Sequence, residues 1–478
     1  MNTSLTVGLI AEYNPFHNGH AYQLAKIREA VPGATIVVCM SGSFTQRGDA
    51  VIADKWTRAS WAVRGGADLV LELPYAFACR SAEHFAAGGV QCLAGLGCLD
   101  VLAFGAESAD LAPLAAAAAC MDDTALQTAV HERIAAGASY AAAMSAEVAE
   151  RTGVSNDVLR APNNILAIEY LRALQRYAPS VQPLLVQRVG ADYHDKAFHG
   201  KIASASAIRT LLKQMPPSPR EGDREAVVGV AKVGCESLMD CPGEGSHGEI
   251  PPTAQSRIPS ALPSPLPQSA SLTAPSKREP YVALKRVMPK DCFAALMETM
   301  SDGLPCQDFL LRPLLAHLLT LDDATLRDIA GIGEGLEHRL LEKAGTATSW
   351  EGLITTVATR RYPQSRIARL LIHVMTGFSA EAAATFDRTG PRYLRVLSMN
   401  ARGAQILHQA KKTARLPIIT KTSQFLKSRD ALRPFDTLSE VQQMLLYDVR
   451  ATELRELALP QPCCFGADFQ TSPIYVKQ

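Results

Sequence analysis

Two histidines three residues apart, His17 and His20, close the stretch Val7-Gly8-Leu9-Ile10-Ala11-Glu12-Tyr13-Asn14-Pro15-Phe16-His17-Asn18-Gly19-His20. The pattern is a strand that passes through a turn into a helix starting near Ala21, which sets both imidazoles at a helix amino-terminus. That end carries unpaired backbone N–H groups and a partial positive charge, so it suits an anion such as a nucleotide phosphate. Gly19 lets the backbone come close, and each imidazole can donate to a phosphate oxygen as charge develops on it. Two ordinary surface histidines beside a turn are the alternative, and the preceding strand and the Asn-Pro-Phe turn weigh against it. A second group of polar residues is Lys201-Ile202-Ala203-Ser204-Ala205-Ser206-Ala207-Ile208-Arg209. There Ser206 is expected to cap a helix and Arg209 to project one turn in. Any serine-capped helix with an arginine gives similar letters, so its placement after the last strand carries the weight.

The elements that must position these groups are legible as alternating patterns. Short β-branched runs at Leu5–Ile10, Ala34–Met40, Asp68–Leu73, Val101–Phe104 and Leu184–Arg188 alternate with helical spacing such as Ala21–Ala30 and Lys55–Arg64. Most of the runs are continuously apolar, as buried parallel strands are, so the expected class is α/β, with a Rossmann-like amino-terminal domain on a parallel sheet. From Pro216 to Pro280 stand 12 of the 29 prolines and no Phe, Tyr or Trp, a composition that buries too little apolar surface to offset chain entropy. The expected organisation is a first domain at 1–214, a disordered linker or insertion at 215–280 and a mostly α-helical domain at 281–478. Helical spacing at Phe309–Leu319, Gly335–Lys343, Ser365–Met375 and Gly403–Arg415 supports the last of these.

Composition excludes little more. With 48 Lys+Arg against 47 Asp+Glu the formal charge is +1, so any surface for nucleic acid must be local. The 11 cysteines are scattered without a C-x-x-C pair, which reads as reduced thiols rather than a zinc ribbon. No secretory leader and no run of about 18 apolar residues is apparent, so a cytoplasmic protein without a membrane partner is expected. Local basic residues do occur at Arg360-Arg361-Tyr362, Arg366 and Arg369, then at Arg392, Arg395, Arg402, Lys411, Lys412 and Arg415. They would grip phosphates, with Tyr362 offering a stacking face, or they are solvated helix faces. The Ile329–Gly335 segment is similar to a helix-hairpin-helix turn but is read as a plain helix-loop-helix.

His17-Asn18-Gly19-His20 and the Ser204–Arg209 segment together resemble the two signatures of the HIGH-type nucleotidyltransferase superfamily. Further stretches narrow the resemblance to the tRNA(Met) cytidine acetate ligase family. They are Met40–Asp49, Asp54–Ala59, Gly66–Pro74, Ser81–Glu83, Phe104-Gly105, Ala161–Leu166, Gly190–Asp195, Glu334–Glu337, Arg361–Ile367 and Leu416–Lys421. The resemblance implies an enzyme, a carbon–nitrogen ligase, that activates acetate with ATP as acetyl-adenylate. It then passes the acetyl group to N4 of the wobble cytidine of elongator tRNA(Met), with Mg²⁺ as the expected companion of ATP and no acetyl-CoA.

Carried over by position, the catalytic residues are His17, His20 and Arg209. The ATP-binding residues are Val7 through His20, Gly105, Asn163, Arg188, Val189 and Ser206; the tRNA-binding residues are Arg361, Tyr362, Arg366 and Arg369. Metal ligands and a general base for the transfer are not identified. Gln46, Arg47 and Lys55 are expected to reach acetate, phosphate or RNA unless the two cations are merely solvated. His84 and His194 read first as structural, with Tyr193 and Asp195 flanking the latter. Where the family has Gly after Pro-Asn-Asn-Ile-Leu, this chain has Ala167, harmless if the position is helical. The competing readings are an adenylyltransferase for a small phosphorylated metabolite, and a non-catalytic RNA-binding protein.

Overall fold

The computed structural model describes residues 4–188, 203–215, 279–300, 303–333, 335–461 and 465–477. Residues 216–278 of the 215–280 stretch expected to be a linker, together with Val189 and the Tyr193–Asp195 group, lie outside the described residues. The centre is a sheet of strands β1 (Thr6–Ala11), β2 (Thr35–Ser41), β3 (Leu69–Leu73), β4 (Val101–Ala106), β5 (Gln182–Gln187), β6 (Leu394–Met399), β7 (Ile418–Ile419) and β8 (Ile474–Tyr475). Their order is β5-β4-β1-β2-β3-β6-β7, with β8 also pairing β6. The first five strands run parallel, in registers such as Val7↔Ile36 and Val7↔Val101. The five expected strands are therefore present, and β2 and β3 are buried along their whole length as continuous apolar runs predict.

The chain winds from β1 outward to β3, then returns past β1 to β4 and β5. Order reverses between β1 and β4, which opens a crevice beyond the carboxyl ends of those two strands. The helices flanking the sheet include Asn18–Ala30 after β1, Ala82–Ala94 after β3 and Pro162–Tyr177 before β5.

The second half is mostly helical, with Asp308–Leu318, Leu336–Ala344, Gln364–Thr376 and Ala401–Thr413 where the spacing predicts them. It also holds strands the periodicity does not announce. β6 pairs antiparallel with β3 and carries β7 and β8, so the carboxy-terminal half extends the first sheet. Its apolar side chains also share one core with those of the amino-terminal half. The helices Glu279–Val287 and Lys290–Met300 bury Leu284, Val287, Cys292 and Leu296 in the core around Trp61 and Leu24. Cys39, Cys79, Cys92 and Cys292 are buried thiols, whereas Cys306 is exposed. No helix among the described residues is long and apolar enough to cross a membrane.

Candidate functional site

At the end of β1 the backbone turns sharply. Tyr13 takes φ +49°, a left-handed conformation rare for an aromatic residue, and the Asn14-Pro15 peptide is cis. The turn is fastened from three directions: Asn14 Oδ1 accepts from Ile52 N–H at 2.9 Å, the Asn14 carbonyl accepts from Arg209 at 2.8 Å, and Phe16 is fully buried. Phe16 packs so closely on Gly65 that a Cβ there would lie 2.2 Å from its ring, which explains a glycine at that helix end.

The next helix starts with an unusual cap made by the two histidines themselves. His17 is the N-cap: its Nδ1 accepts from Gly19 N–H at 3.1 Å, and His20 Nδ1 accepts from His17 N–H at 3.3 Å. The reciprocal bonds reproduce a capping box with imidazoles in place of Ser and Glu. Because both Nδ1 atoms are acceptors, each neutral ring carries its proton on Nε2. The rings stack with centroids 3.7 Å apart, and Tyr13 meets His20 edge-on at 4.7 Å. Burial, then the charges of Arg188 and Arg209, push His17 down to about 3. Burial, then His17 and Arg188, hold His20 well below the usual imidazole range. At neutral pH the pair is therefore two uncharged N–H donors with fixed orientation.

These histidines form one wall of an open cleft at the β1/β4 switch point. Gly105 at the end of β4, Val186, Gln187 and Arg188 at the end of β5, and Ala203 and Ser204 complete it, with Gly19, Tyr22 and Gln23 beside the histidines. A Cβ on Gly105 would sit 3.4 Å from Arg188 and 3.6 Å from Gln23, so this glycine lies between the two polar side chains.

The residues singled out from sequence divide clearly. His17, Gly19, His20, Gly105 and Arg188 line the cleft, and Arg209 stands beside it on the Asn14 carbonyl. Val7 and Leu9 are core residues of β1, and a Cβ on Gly8 would meet Leu99 and Leu93 rather than open space. Ile10 packs on Gly89, and Asn18 reaches the Arg286 carbonyl at 2.9 Å. The serine assignment is corrected: Ser204, not Ser206, is the N-cap, its hydroxyl accepting from Ala207 N–H at 3.1 Å, and Ser206 is an exposed residue of the first turn. Asn163 donates to Glu107 Oε1 at 2.5 Å, while the buried Asn164 accepts from Glu107 N–H and Ser108 N–H and so fixes the exit of β4. Ala167 is helical and fully buried, so the departure from glycine there is harmless.

Lys55 is also corrected. It is 0% exposed and bonded to Glu72 at 2.8 Å and Asp468 at 2.7 Å, with Arg395 on the same two carboxylates. The helix after Asp54 points it into the sheet, so neither Lys55 nor Arg395 reaches a ligand. Gln46 is instead a junction: its N–H donates to Glu12, its amide to the Arg80 carbonyl, and its carbonyl accepts from Arg369. His84 is held by Ser81 at 2.7 Å and Asp387 at 3.3 Å. On the second half Arg361 is exposed, and Arg366 lies over the Tyr362 ring at 4.7 Å and donates to the Gly331 carbonyl. Tyr22, Gln23 and Gln187 escaped the sequence reading, and Ser204 entered it only as part of the Ser204–Arg209 segment. Gln23 alone carried a signal, one helical turn beyond His20 on the same face.

Fold and site together define a HIGH-type nucleotidyltransferase, and the family described as HIGH Nucleotidyl Transferase matches residues 4–229 and 268–466. The tRNA(Met) cytidine acetate ligase of Syntrophotalea carbinolica is 36% identical over 95% of this chain and 94% of its own, and that of Acetivibrio thermocellus is 31% identical over 95% of each. The Thermotoga maritima TmcAL structure superposes with a TM-score of 0.78 at 26% identity, over 99% of this chain and all of its own. The same protein bound with alpha-thio ATP gives 0.77. The chain belongs to the tRNA(Met) cytidine acetate ligase family.

Proposed function

We propose that the chain is an ATP-dependent ligase that activates acetate as acetyl-adenylate and transfers the acetyl group to N4 of the wobble cytidine of elongator tRNA(Met). AMP and pyrophosphate are the other products. The observation that carries the reading is the pair of neutral, backbone-locked imidazoles presenting Nε2–H groups at the switch-point cleft. Acetate is a poor acyl donor because its leaving group would be oxide. Attack of its carboxylate on the α-phosphorus of ATP makes a mixed anhydride and expels pyrophosphate, so the protein's task is alignment and stabilisation of charge. His17 and His20 donate to phosphate oxygens, and Arg188 and Arg209 add positive charge. Gly105 and Asn163 are proposed on the nucleotide side, with Ser204 taking the part expected of Ser206.

Among the described residues no group of three His, Cys, Asp or Glu side chains is placed to hold a metal. The tRNA is proposed to lie on the Arg361, Tyr362 and Arg366 surface, in the cytoplasm where its ATP and RNA substrates occur. The test is incubation with ATP, Mg²⁺, labelled acetate and an unmodified tRNA(Met) transcript, followed by nucleoside analysis. Label in N4-acetylcytidine supports the reaction. Acetate-dependent pyrophosphate release without label in RNA would move the acceptor elsewhere, and the absence of both signals would overturn the reading.

A further inference from the structure

The cleft accounts for adenylation but leaves open what receives the proton when a weakly nucleophilic exocyclic amine attacks the acetyl carbonyl. Glu12 is the residue at which β1 gives way to the turn, next to Tyr13 and five residues before His17. Its side chain is half-buried, and Oε1 accepts from Gln46 N–H at 2.7 Å. Oε2 has no hydrogen-bond partner among the described residues. Oε2 is not enclosed, so it is open to a donor from outside the fold.

Its surroundings indicate which substrate that is. Glu12 follows the carboxyl end of β1 on the turn that leads to His17, and Arg209 braces that turn at the Asn14 carbonyl. On its other side Gln46 connects Glu12 to Arg369, which donates to the Gln46 carbonyl at 3.2 Å. Arg369 belongs to the same helix as Arg366, on the surface proposed for tRNA. Gly48 lies against that helix so closely that a Cβ would come within 2.8 Å of Arg369 N, which locks the loop to it. Glu12 therefore occupies the junction between the nucleotide cleft and the RNA-facing helix.

The geometry points to Glu12 as the acceptor of an N4–H of the incoming cytidine and the general base for its acetylation, a role that rests on the reaction proposed above. A carboxylate is the natural hydrogen-bond partner of cytosine N4. In the step, N4 bonds to the acetyl carbon, the carbon–oxygen bond to the adenylate breaks with its electron pair leaving on AMP, and the N4 proton passes to Glu12. The reactive form is the carboxylate. Burial raises the Glu12 pKa, and Asp49 adds to the rise; the Gln46 N–H bond, Arg209 and Arg47 oppose it. The transfer rate is therefore lost as pH falls through the raised value and is regained above it.

The test is Glu12→Gln and Glu12→Asp in the full-length enzyme, with thermal unfolding as a check on the fold. Acetate-dependent exchange of pyrophosphate into ATP and single-turnover acetylation of tRNA(Met) transcript are both followed from pH 5.5 to 8.5. The expected result for Glu12→Gln is a loss of single-turnover transfer about 10²–10³-fold larger than any loss of exchange, and disappearance of the acidic limb. Glu12→Asp restores part of the rate and the limb. Transfer retained in Glu12→Gln, or exchange and transfer lost in equal measure in a folded protein, overturns the role. Absence of N4-acetylcytidine with the wild-type enzyme would instead sink the underlying reading.

Discussion

The Lys55 cluster and the His17–His20 pair are both buried sets of polar groups, and they differ in whether the fold closes their interactions. Lys55 and Arg395 face Glu72 and Asp468, two cations against two anions, all at most 4% exposed. Burial alone would raise the Asp468 carboxyl, yet Arg395 and Lys55 hold it down to about 2. Among the described residues the histidines are bonded only on Nδ1, and they face a cleft with Arg188 across from them. A closed cluster fastens β3 to β6 and to the carboxy-terminal segment, whereas an open one is prepared to bind. Residue type does not separate the two cases, because Lys55 in a loop-to-helix segment looks as suitable for a phosphate as His17 does.

The largest effect that would test this distinction is on stability. Lys55→Ala removes one cation and leaves Glu72 and Asp468 sharing only Arg395, so about 3–5 kcal/mol of folding free energy should be lost in chemical denaturation. Any loss of activity should follow the unfolded fraction. A Lys55→Ala enzyme that stays as stable as wild type but no longer activates acetate would mean that Lys55 reaches the substrate and that the comparison is misdrawn.

The histidines should behave the other way. His17→Ala and His20→Ala are each expected to lower acetate-dependent pyrophosphate exchange by about 10²–10³-fold, the usual loss for a donor aimed at developing charge. Loss of a helix cap costs only about 1 kcal/mol, so their unfolding midpoints should stay near wild type. If either variant unfolds as Lys55→Ala does, the pair is chiefly a cap, and the donors to ATP must be sought on Arg188 and Arg209.

How much of this was legible in the sequence follows the same line. The five parallel strands and the histidine turn announce themselves because each is local: an apolar run, or a fixed spacing at a helix start. β6 does not, since Leu394–Met399 is a short run with Arg395 inside it, and its pairing partner β3 lies more than 300 residues earlier. The cap at Ser204 rather than Ser206 is a choice between two serines two residues apart, decided by which hydroxyl meets the Ala207 N–H. The burial of Lys55 needs Asp468, a residue with no motif around it. The junction at Gln46 requires Arg369 from the other half of the chain, and no local pattern encodes such a contact.

The smallest expected effect sharpens the comparison on the RNA-facing surface, where the arginines differ in exposure and in what they brace. Arg361 is exposed and Arg366 lies over Tyr362, while Arg369 is partly buried on the Gln46 carbonyl, and burial lowers its pKa. Arg361→Ala with Arg366→Ala should weaken binding of unmodified tRNA(Met) by about tenfold and reduce its salt dependence, by about one unit of slope for each phosphate contact removed. Acetate-dependent pyrophosphate exchange should persist. Arg369→Ala should leave the salt slope of binding nearly unchanged and lower acetyl transfer, because it releases the loop that holds Glu12 rather than a phosphate. Filter binding over a salt series, paired with single-turnover transfer, separates the two classes. If Arg369→Ala changes the slope as much as Arg361→Ala does, Arg369 contacts RNA directly, and its bond to the Gln46 carbonyl does not keep it off the binding surface.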